Sequence, residues 1–361
     1  MKIKNITVLG AGHGGYAAAA DLTLRGFIVT LFTFSEEKRR ILNENGNEIA
    51  YSGVWGEGRC RLNTVTNDME EALDGAQIVV MTVPGPGHEK YLSEIKPYFT
   101  KEMILYMNPG HSGGALHAAH ILGNGFQIAE SNTLSYIARK RSDTEVFVSS
   151  SDKAVKVGVF PARKTKEVFA AVQAVFPHIV CAENVLESTF CNINAMFHPP
   201  GVLLNAGWIE HTHGDFKFYY EGITESVGNV IDRLDEERRK AARAYGIHLS
   251  DFGSGLYEAG STSRKGMEAH CAYTACQESR ANKFIKAPES LNHRYMHEDI
   301  CSGLVPMSEL GRLAGVEVPV MDALIITAGA LMKKDYRKEG VSLEKMGLSE
   351  KGYKEIIEYV Y

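Results

Sequence analysis

Cysteine is scarce in this chain, and what little there is forms no framework. The six cysteines, Cys60, Cys181, Cys191, Cys271, Cys276 and Cys301, include no C-x-x-C pair, which speaks against a zinc ribbon, a redox dithiol or a disulfide-stapled scaffold and leaves reduced core residues as the expectation. Excess positive charge is missing as well: 39 Lys and Arg stand against 44 Asp and Glu, a formal net charge of −5. Without a basic surplus, nucleic acid and an anionic membrane surface are not expected partners. No uninterrupted apolar run reaches membrane-spanning length, and Met1-Lys2-Ile3-Lys4-Asn5 runs straight into a strand-like segment with no room for a signal peptide's apolar core, so the expected location is the cytoplasm, with no membrane contact. Internal repeats and low-complexity stretches are absent too.

Glycine is plentiful, and its placement is informative. Ile6-Thr7-Val8-Leu9 breaks into Gly10-Ala11-Gly12-His13-Gly14-Gly15 and then into the small-residue run Tyr16 to Ala20. An apolar run, a G-x-G-x-x-G turn and an alanine-rich stretch read as strand, tight turn and helix, the first unit of a dinucleotide-binding fold. Gly10 suits the turn, Gly12 the approach of backbone to a pyrophosphate, and Gly15 close packing of helix on strand, with the helix N-terminal amides of His13 and Gly14 turned toward the phosphates. At 361 residues the chain is long for one core and suits two domains.

The second strand, Phe27 to Phe34, bears on the choice of dinucleotide. An NAD-binding unit commonly carries an acid about 20 residues past the glycines to hold the ribose 2′-hydroxyl. Here that tip reads Thr33-Phe34-Ser35, followed by Glu36, Glu37, Lys38, Arg39 and Arg40. A hydroxyl at Thr33 and Ser35 and a cation at Arg39 favour the 2′-phosphate of NADP; NAD is the alternative, with Glu36 in the acid's role.

Further apolar strands follow at Gln77 to Val83, Met103 to Met107 and Gln127 to Glu130, with helical stretches between them. That alternation indicates a parallel, doubly wound sheet whose ligands bind beyond the strands' carboxyl ends. The loops opening at Pro84, Asn108 and Asn132 are therefore expected to face the cofactor, with Thr133, in the last of them, expected at the substrate. Glu145 to Ser150 and Lys156 to Phe160, separated by Ser151-Asp152-Lys153, read as a hairpin added to the sheet. The fold class expected is α/β, a Rossmann-type domain over residues 1–180 followed by an all-helical domain over residues 181–361. The clearest helix of the latter runs from Ile223 to Tyr245, with its apolar stripe on one side and Asp, Glu and Arg opposite. The charged, amphipathic tail from Lys333 to Tyr361 suits surface or subunit contact, and a homodimer is the expected assembly.

Two segments of the helical domain carry chemistry. In Asn192-Ile193-Asn194-Ala195-Met196-Phe197-His198-Pro199-Pro200, a histidine follows polar amides and precedes two prolines that would end a helix there; Asn194 is expected at the substrate. In Asn292-His293-Arg294-Tyr295-Met296-His297-Glu298-Asp299, a cation and a carboxylate stand five residues apart. Hydride transfer to a carbonyl-derived carbon needs a proton donor and acceptor, a group to orient it, and a cation for the substrate carboxylate; His198, Asp299 and Arg294 fit these parts. His293, His297 and Glu298 raise a metal reading, but H-x-x-x-H without a metalloprotease glutamate is common by chance, and no metal is expected.

With these segments in view, the chain resembles the opine dehydrogenases over essentially its full length, in GAGHGG at Gly10, NPGHSGG at Asn108, AESNTL at Ala129, NAMFHPPGVLLNAG at Asn194 and NHRYMHEDI at Asn292. The resemblance implies a Rossmann domain joined to a helical one, and NAD(P)H-dependent joining of a 2-oxo acid to the amino group of an amino acid by imine reduction. It implies His198 as the catalytic histidine, Asp299 as its carboxylate and Arg294 as the holder of the oxo acid's carboxylate. Cys301-Ser302-Gly303-Leu304 departs from it where a proline-containing variant would be expected. The alternatives are another two-domain reductase of ketopantoate reductase or 6-phosphogluconate dehydrogenase type, which would place a lysine where Asn192 to His213 has none, and a non-catalytic NAD(P)-binding sensor.

Overall fold

A computed structural model describes residues 3–123, 125–152 and 154–361. The chain divides into two compact units: 1–110 with 114–185 and Tyr361, and 111–113 with 186–360.

The first unit is built on an eight-stranded sheet. In chain order the strands of this unit are β1 (Asn5–Leu9), β2 (Ile28–Phe32), β3 (Glu48–Gly53), β4 (Gly58–Arg61), β5 (Thr64–Thr66), β6 (Ile78–Met81), β7 (Ile104–Met107), β8 (Gln127–Ser131), β9 (Ile137–Ser142), β10 (Glu145–Ser150), β11 (Val155–Phe160) and β12 (Ile179–Cys181). The large sheet runs β12-β11-β8-β7-β6-β1-β2-β5, parallel throughout except for the antiparallel pair β8–β11. Strand order reverses direction between β1 and β6, the switch point at which sheets of this kind bind ligands. The central strands β6 and β7 are buried along their whole length, as strands covered on both faces must be. α1 (His13–Leu24) follows β1, and its run Ala17 to Ala20 is fully buried; alanine favours helix and lets it lie close to the sheet. Gly26, with φ +86°, stops it.

The expected hairpin of Glu145–Ser150 with 156–160 is not formed. β10 instead pairs antiparallel with β9 and parallel with β3 in a separate sheet of order β4-β3-β10-β9, while β11 joins the large sheet against β8. The turn lies one strand earlier, at Asp143-Thr144, and the charged run Arg139-Lys140-Arg141 disguised β9, a strand exposed along most of its length. Of the residues given to the connection, Lys153 lies outside those described.

The second unit is helical. Its elements include α3 (Asn194–Leu203), α4 (Glu225–Ala244), α5 (Arg294–Asp299) and α6 (Val305–Leu313). α4 is capped by Thr224, whose hydroxyl accepts from the Val227 amide. Its charged side is only partly exposed: Arg233, Lys240 and Arg243 reach solvent, but Asp235, Glu237 and Arg238 are buried. Arg238 donates to Asp235, to the Phe190 carbonyl (2.9 Å) and to the Ser250 carbonyl (3.0 Å), and Glu237 accepts from the amides of Val320 and Met321 at the start of helix Pro319–Met332. These charges tie loops and helix ends together, which hydropathy patterning cannot see.

α3 does not end at His198 either. It continues through Pro199 and Pro200 to Leu203, although each proline withholds an amide from the helix ladder. Every residue from Ala195 to Leu203 is buried, so packing holds the turn that the backbone alone would lose. Between α5 and α6 the chain widens into a π-turn, Ile300–Leu304. The carbonyls of Cys301 and Ser302 are bonded outside it, by the amides of Val341 (2.8 Å) and Ser112 (3.0 Å). Gly303 lies so close to α3 that a Cβ built there would stand 2.6 Å from Ala195 Cβ. This is what the glycine in Cys301-Ser302-Gly303-Leu304 is for.

Of the cysteines, Cys60, Cys276 and Cys301 are buried, but Cys181 is exposed and so is no core residue. In the tail only Tyr336–Glu339 and Tyr353–Val360 are helical.

Candidate active site

In the first unit, the turn from β1 into α1 is shaped around its glycines. Gly10 takes φ +102°, and its amide donates to the Phe32 carbonyl at 3.0 Å. A Cβ at Gly15 would stand 1.7 Å from the Gly10 carbonyl oxygen, so that position admits glycine alone. A Cβ at Gly12 would meet nothing within 4 Å, which leaves open space over the N-cap of α1. Gly12 offers no side chain to the first-turn amides, and that turn has no acidic residue. Amides directed into open space at the positive end of a helix fit a pyrophosphate. Gly14 packs under Leu134, and His13 accepts the Lys140 amide on its Nδ1 (2.8 Å).

At the tip of β2 the Thr33 hydroxyl accepts from the Ser35 amide (3.2 Å), and Ser35 caps α2 (Glu36–Glu44) by accepting from the Lys38 amide (3.3 Å). Arg39 pairs with Glu36, whose carboxylate also accepts from Asn67 (2.8 Å). Hydrogen bonding to Arg39 holds the Glu36 carboxyl below its ordinary range. The cation read from the sequence thus stands beside an acid. Pro84 is exposed at the start of the loop after β6. Asn108 is fully buried, its Oδ1 accepting from Ser131 and from Ser135 at 3.0–3.2 Å, while its Nδ2 has no partner among the described residues, the kind of donor a ligand satisfies. Thr133 lies next to Leu134 in this unit.

That cluster forms where α3 and the end of α5 meet. His198 is 5% exposed and Asp299 2%; His198 Nδ1 lies 2.8 Å from Asp299 Oδ2. A carboxylate only accepts, so Nδ1 carries the proton and Nε2 is left for proton exchange. Nε2 lies 2.8 Å from the Tyr219 hydroxyl, which in turn lies 3.2 Å from the Tyr295 hydroxyl. The Tyr295 ring stacks on the imidazole at 3.7 Å and the Phe197 ring at 4.6 Å. One phenolic proton serves both states of the ring: Tyr219 donates to Nε2 when the imidazole is neutral, and accepts from Nε2–H while donating to Tyr295 when it is charged. Burial, reinforced by Tyr295, keeps the Tyr219 phenol well above its ordinary pKa and therefore protonated.

Arg294 opens α5, about half exposed, with Nε 2.9 Å from Glu298 Oε2. Burial works against its charge, but Glu298 and Asp299 outweigh it and hold the guanidinium above its ordinary pKa. Asn194 stands one helical turn before His198 on the same face of α3. His293 caps α5, accepting from the Tyr295 amide, and His297 bonds Asn292 and Tyr336, so the two histidines serve different partners. Tyr219 escaped the sequence reading; the aromatic run Phe216 to Tyr220 was the available signal, but nothing in it distinguishes a phenol at the histidine from one in the core.

Two family models match: the NAD/NADP octopine/nopaline dehydrogenase alpha-helical domain over residues 181–332, and the NAD-dependent glycerol-3-phosphate dehydrogenase N-terminus over residues 5–117. An opine dehydrogenase from Arthrobacter sp. (strain 1C) is 34% identical over 353 residues, covering 97% of this chain and 96% of that protein. This chain belongs to the opine dehydrogenase family. It is an NAD(P)-dependent oxidoreductase acting on a CH–NH bond, joining a 2-oxo acid to an amino group by reduction. Octopine dehydrogenase of Pecten maximus is a more distant relative, 24% identical with 94% of this chain and 93% of that protein covered. Among solved structures, octopine dehydrogenase with NADH and L-arginine superposes with a TM-score of 0.79 at 20% identity, covering 95% of this chain and 96% of that one. Yersinopine dehydrogenase with NADP+ gives 0.78 at 14%, covering 98% and 99%. A 2-dehydropantoate 2-reductase from Bacillus subtilis reaches 0.60 at 16%, covering 91% and 99%; the ketopantoate reductase alternative shares the fold at a greater distance. No helix among the described residues is long and apolar enough to cross a membrane.

Proposed function

We propose that this opine dehydrogenase condenses a pyruvate-like 2-oxo acid with an amino acid, using His198 as the acid and base, Asp299 as its orienting carboxylate and Arg294 as the anchor for the oxo acid's carboxylate. The observation that carries the assignment is the buried His198–Asp299 pair at 2.8 Å, with Arg294 five residues before Asp299 on the same short helix. Gly10, Gly12, Gly14 and Gly15 would hold the dinucleotide, which would supply the hydride.

The residues of the chain manage the protons. A proton from the substrate ammonium passes to Nε2 of neutral His198 by way of the Tyr219 hydroxyl that bonds it, freeing the nitrogen lone pair to attack the oxo carbon. The same proton goes to the hydroxyl of the resulting carbinolamine, which leaves as water and gives the iminium that is reduced. Asp299 stabilises the imidazolium in between and keeps the ring from turning over. The planar fork of Arg294 matches a carboxylate in two parallel bonds, as a lysine's point charge does not. Asn194, on the face of α3 that carries His198, and Thr133 are the further polar groups assigned to substrate.

For the dinucleotide the reading is NADP. Thr33 puts no carboxylate at the tip of β2, and Ser35 and Arg39 offer a hydroxyl and a cation; Glu36, paired with Arg39, is the group that would favour NAD instead. Thr33→Asp reverses the preference, and a wild type as efficient with NADH as with NADPH refutes it. A homodimer in the cytoplasm is proposed, the charged, amphipathic tail supporting the subunit contact, with sedimentation as the check on assembly.

The defining experiment follows nicotinamide absorbance with pyruvate or 2-oxoglutarate against each amino acid in turn. Turnover is expected with at least one pair and is lost in His198→Ala while NADPH still binds. Binding without turnover for every pair would make the chain a sensor.

A further inference from the structure

Two buried arginine–carboxylate systems in the second unit differ in a telling way. Arg238 is 2% exposed and spends its nitrogens on Asp235 and two carbonyls; it is a structural tie. Arg294 is engaged through Nε, and its side chain stays 54% exposed, while its partner Glu298 is 3% exposed. A guanidinium held by its Nε edge still presents the edge made by its two terminal nitrogens.

Glu298 is itself held from the other side. Its Oε1 lies 2.5 Å from Nε2 of His111, a buried residue with φ +62°. That left-handed backbone is unfavourable for a side chain bearing a Cβ and persists because the flanking residues are pinned. The Ser112 hydroxyl donates to the Thr189 carbonyl (3.0 Å), the Gly113 amide to the Thr189 hydroxyl (3.0 Å), and Asn192 to the Ser112 hydroxyl (3.2 Å). A strained, buried histidine set against a buried carboxylate is a costly arrangement, and a core contact would be met more simply by apolar side chains.

We propose that Glu298, fixed by His111, is a positioning residue that aims the terminal nitrogens of Arg294 at the oxo acid's carboxylate. The acidic pair thereby divides its labour: Asp299 orients the proton carrier, and Glu298 orients the substrate anchor. The proposal rests on Arg294 being that anchor.

The test is steady-state kinetics with pyruvate and the best amino acid from the screen, together with NADPH dissociation constants from fluorescence. Glu298→Gln keeps the shape but loses the charge. It should raise KM for pyruvate about 10-fold to 100-fold, the range of a charge-assisted hydrogen bond, with kcat, KM for the amino acid and NADPH affinity changed less than about 3-fold. His111→Gln should move the same constant in the same direction by less. Should Glu298→Gln fold poorly, His111→Gln alone carries the test, because loss of folded enzyme lowers apparent kcat and leaves KM in place. In an Arg294→Lys background, which has no Nε edge to hold, Glu298→Gln should add less than about 2-fold. A pyruvate KM unmoved by Glu298→Gln and His111→Gln, while Arg294→Lys raises it, overturns the positioning role. A pyruvate KM unmoved by Arg294→Lys overturns the anchor itself.

Discussion

Replacing Asp299 by Asn keeps the volume of the side chain and removes its charge, and the size of the effect can be worked from the geometry. With His198 Nδ1 2.8 Å from the carboxylate oxygen, the centres of charge of imidazolium and carboxylate lie about 4 Å apart, which at an effective dielectric of about 20 is an attraction of about 4 kcal/mol. An asparagine oxygen recovers about 1 kcal/mol of this as a neutral hydrogen bond. The remaining 3 kcal/mol or so acts only while His198 is charged, and at about 1.4 kcal/mol per tenfold it corresponds to a kcat loss of about 100-fold to 200-fold. A ring that turns to satisfy the amide would lose more, toward the roughly 10,000-fold known for the equivalent change in a Ser-His-Asp triad. The assay is loss of nicotinamide absorbance with both substrates saturating, alongside the thermal midpoint and the NADPH dissociation constant. Stability should hold or rise, because a buried carboxylate no longer has to be kept from water, and dinucleotide binding should not move. More than about a tenth of wild-type turnover in Asp299→Asn would refute the dyad, since general acid–base groups contribute at least about 100-fold.

Three further outcomes follow from the same structure. Tyr219→Phe removes the hydroxyl at His198 Nε2 and should lower kcat about 10-fold with KM for either substrate nearly constant, the scale of one hydrogen bond to a charged ring; unchanged kcat would make the phenol a packing group. Gly15→Ala forces a Cβ onto the Gly10 carbonyl and should abolish NADPH binding by calorimetry, so a variant that binds normally would remove the glycine turn from the cofactor site. Burial and then Lys334 hold His297 below its ordinary pKa. The unfolded chain therefore takes up this proton more readily, and the contribution to stability is complete above about pH 6.5 and fades as the pH falls through the lower folded value. The thermal midpoint of the wild type should drop on acidification more than that of His297→Gln, and parallel curves would dismiss the effect.

What could be read from the sequence was whatever depends on local backbone demands. The turn from Gly10 to Gly15 is a problem of space between one strand and one helix, and glycine is its visible solution. The His198 and Asp299 segments stood out because one sets a histidine before two prolines and the other sets a cation five residues before a carboxylate. Long-range pairings left no such mark. Tyr219 meets His198 only through the packing of its segment against α3, Asp235, Glu237 and Arg238 of α4 are buried because helix ends and loops elsewhere in the unit need them, and β9 carries three basic residues in a strand whose partner alone defines it. Pro199 and Pro200 misled for the opposite reason: a local rule was overruled by burial of the entire turn.

Gly303 carries a consequence for how this enzyme can vary. The helix bearing His198 and the segment following Asp299 touch where Gly303 meets Ala195 with no room for one further carbon, so the gap between acid and histidine is gauged at a point that has no functional group. A methyl group added there acts as a shim, widening the dyad while leaving every reactive atom in the molecule. The spacing of the dyad thus depends on two of the smallest side chains in the unit, and a designer wishing to slow the chemistry without altering its charges or its ligands has a single hydrogen to replace.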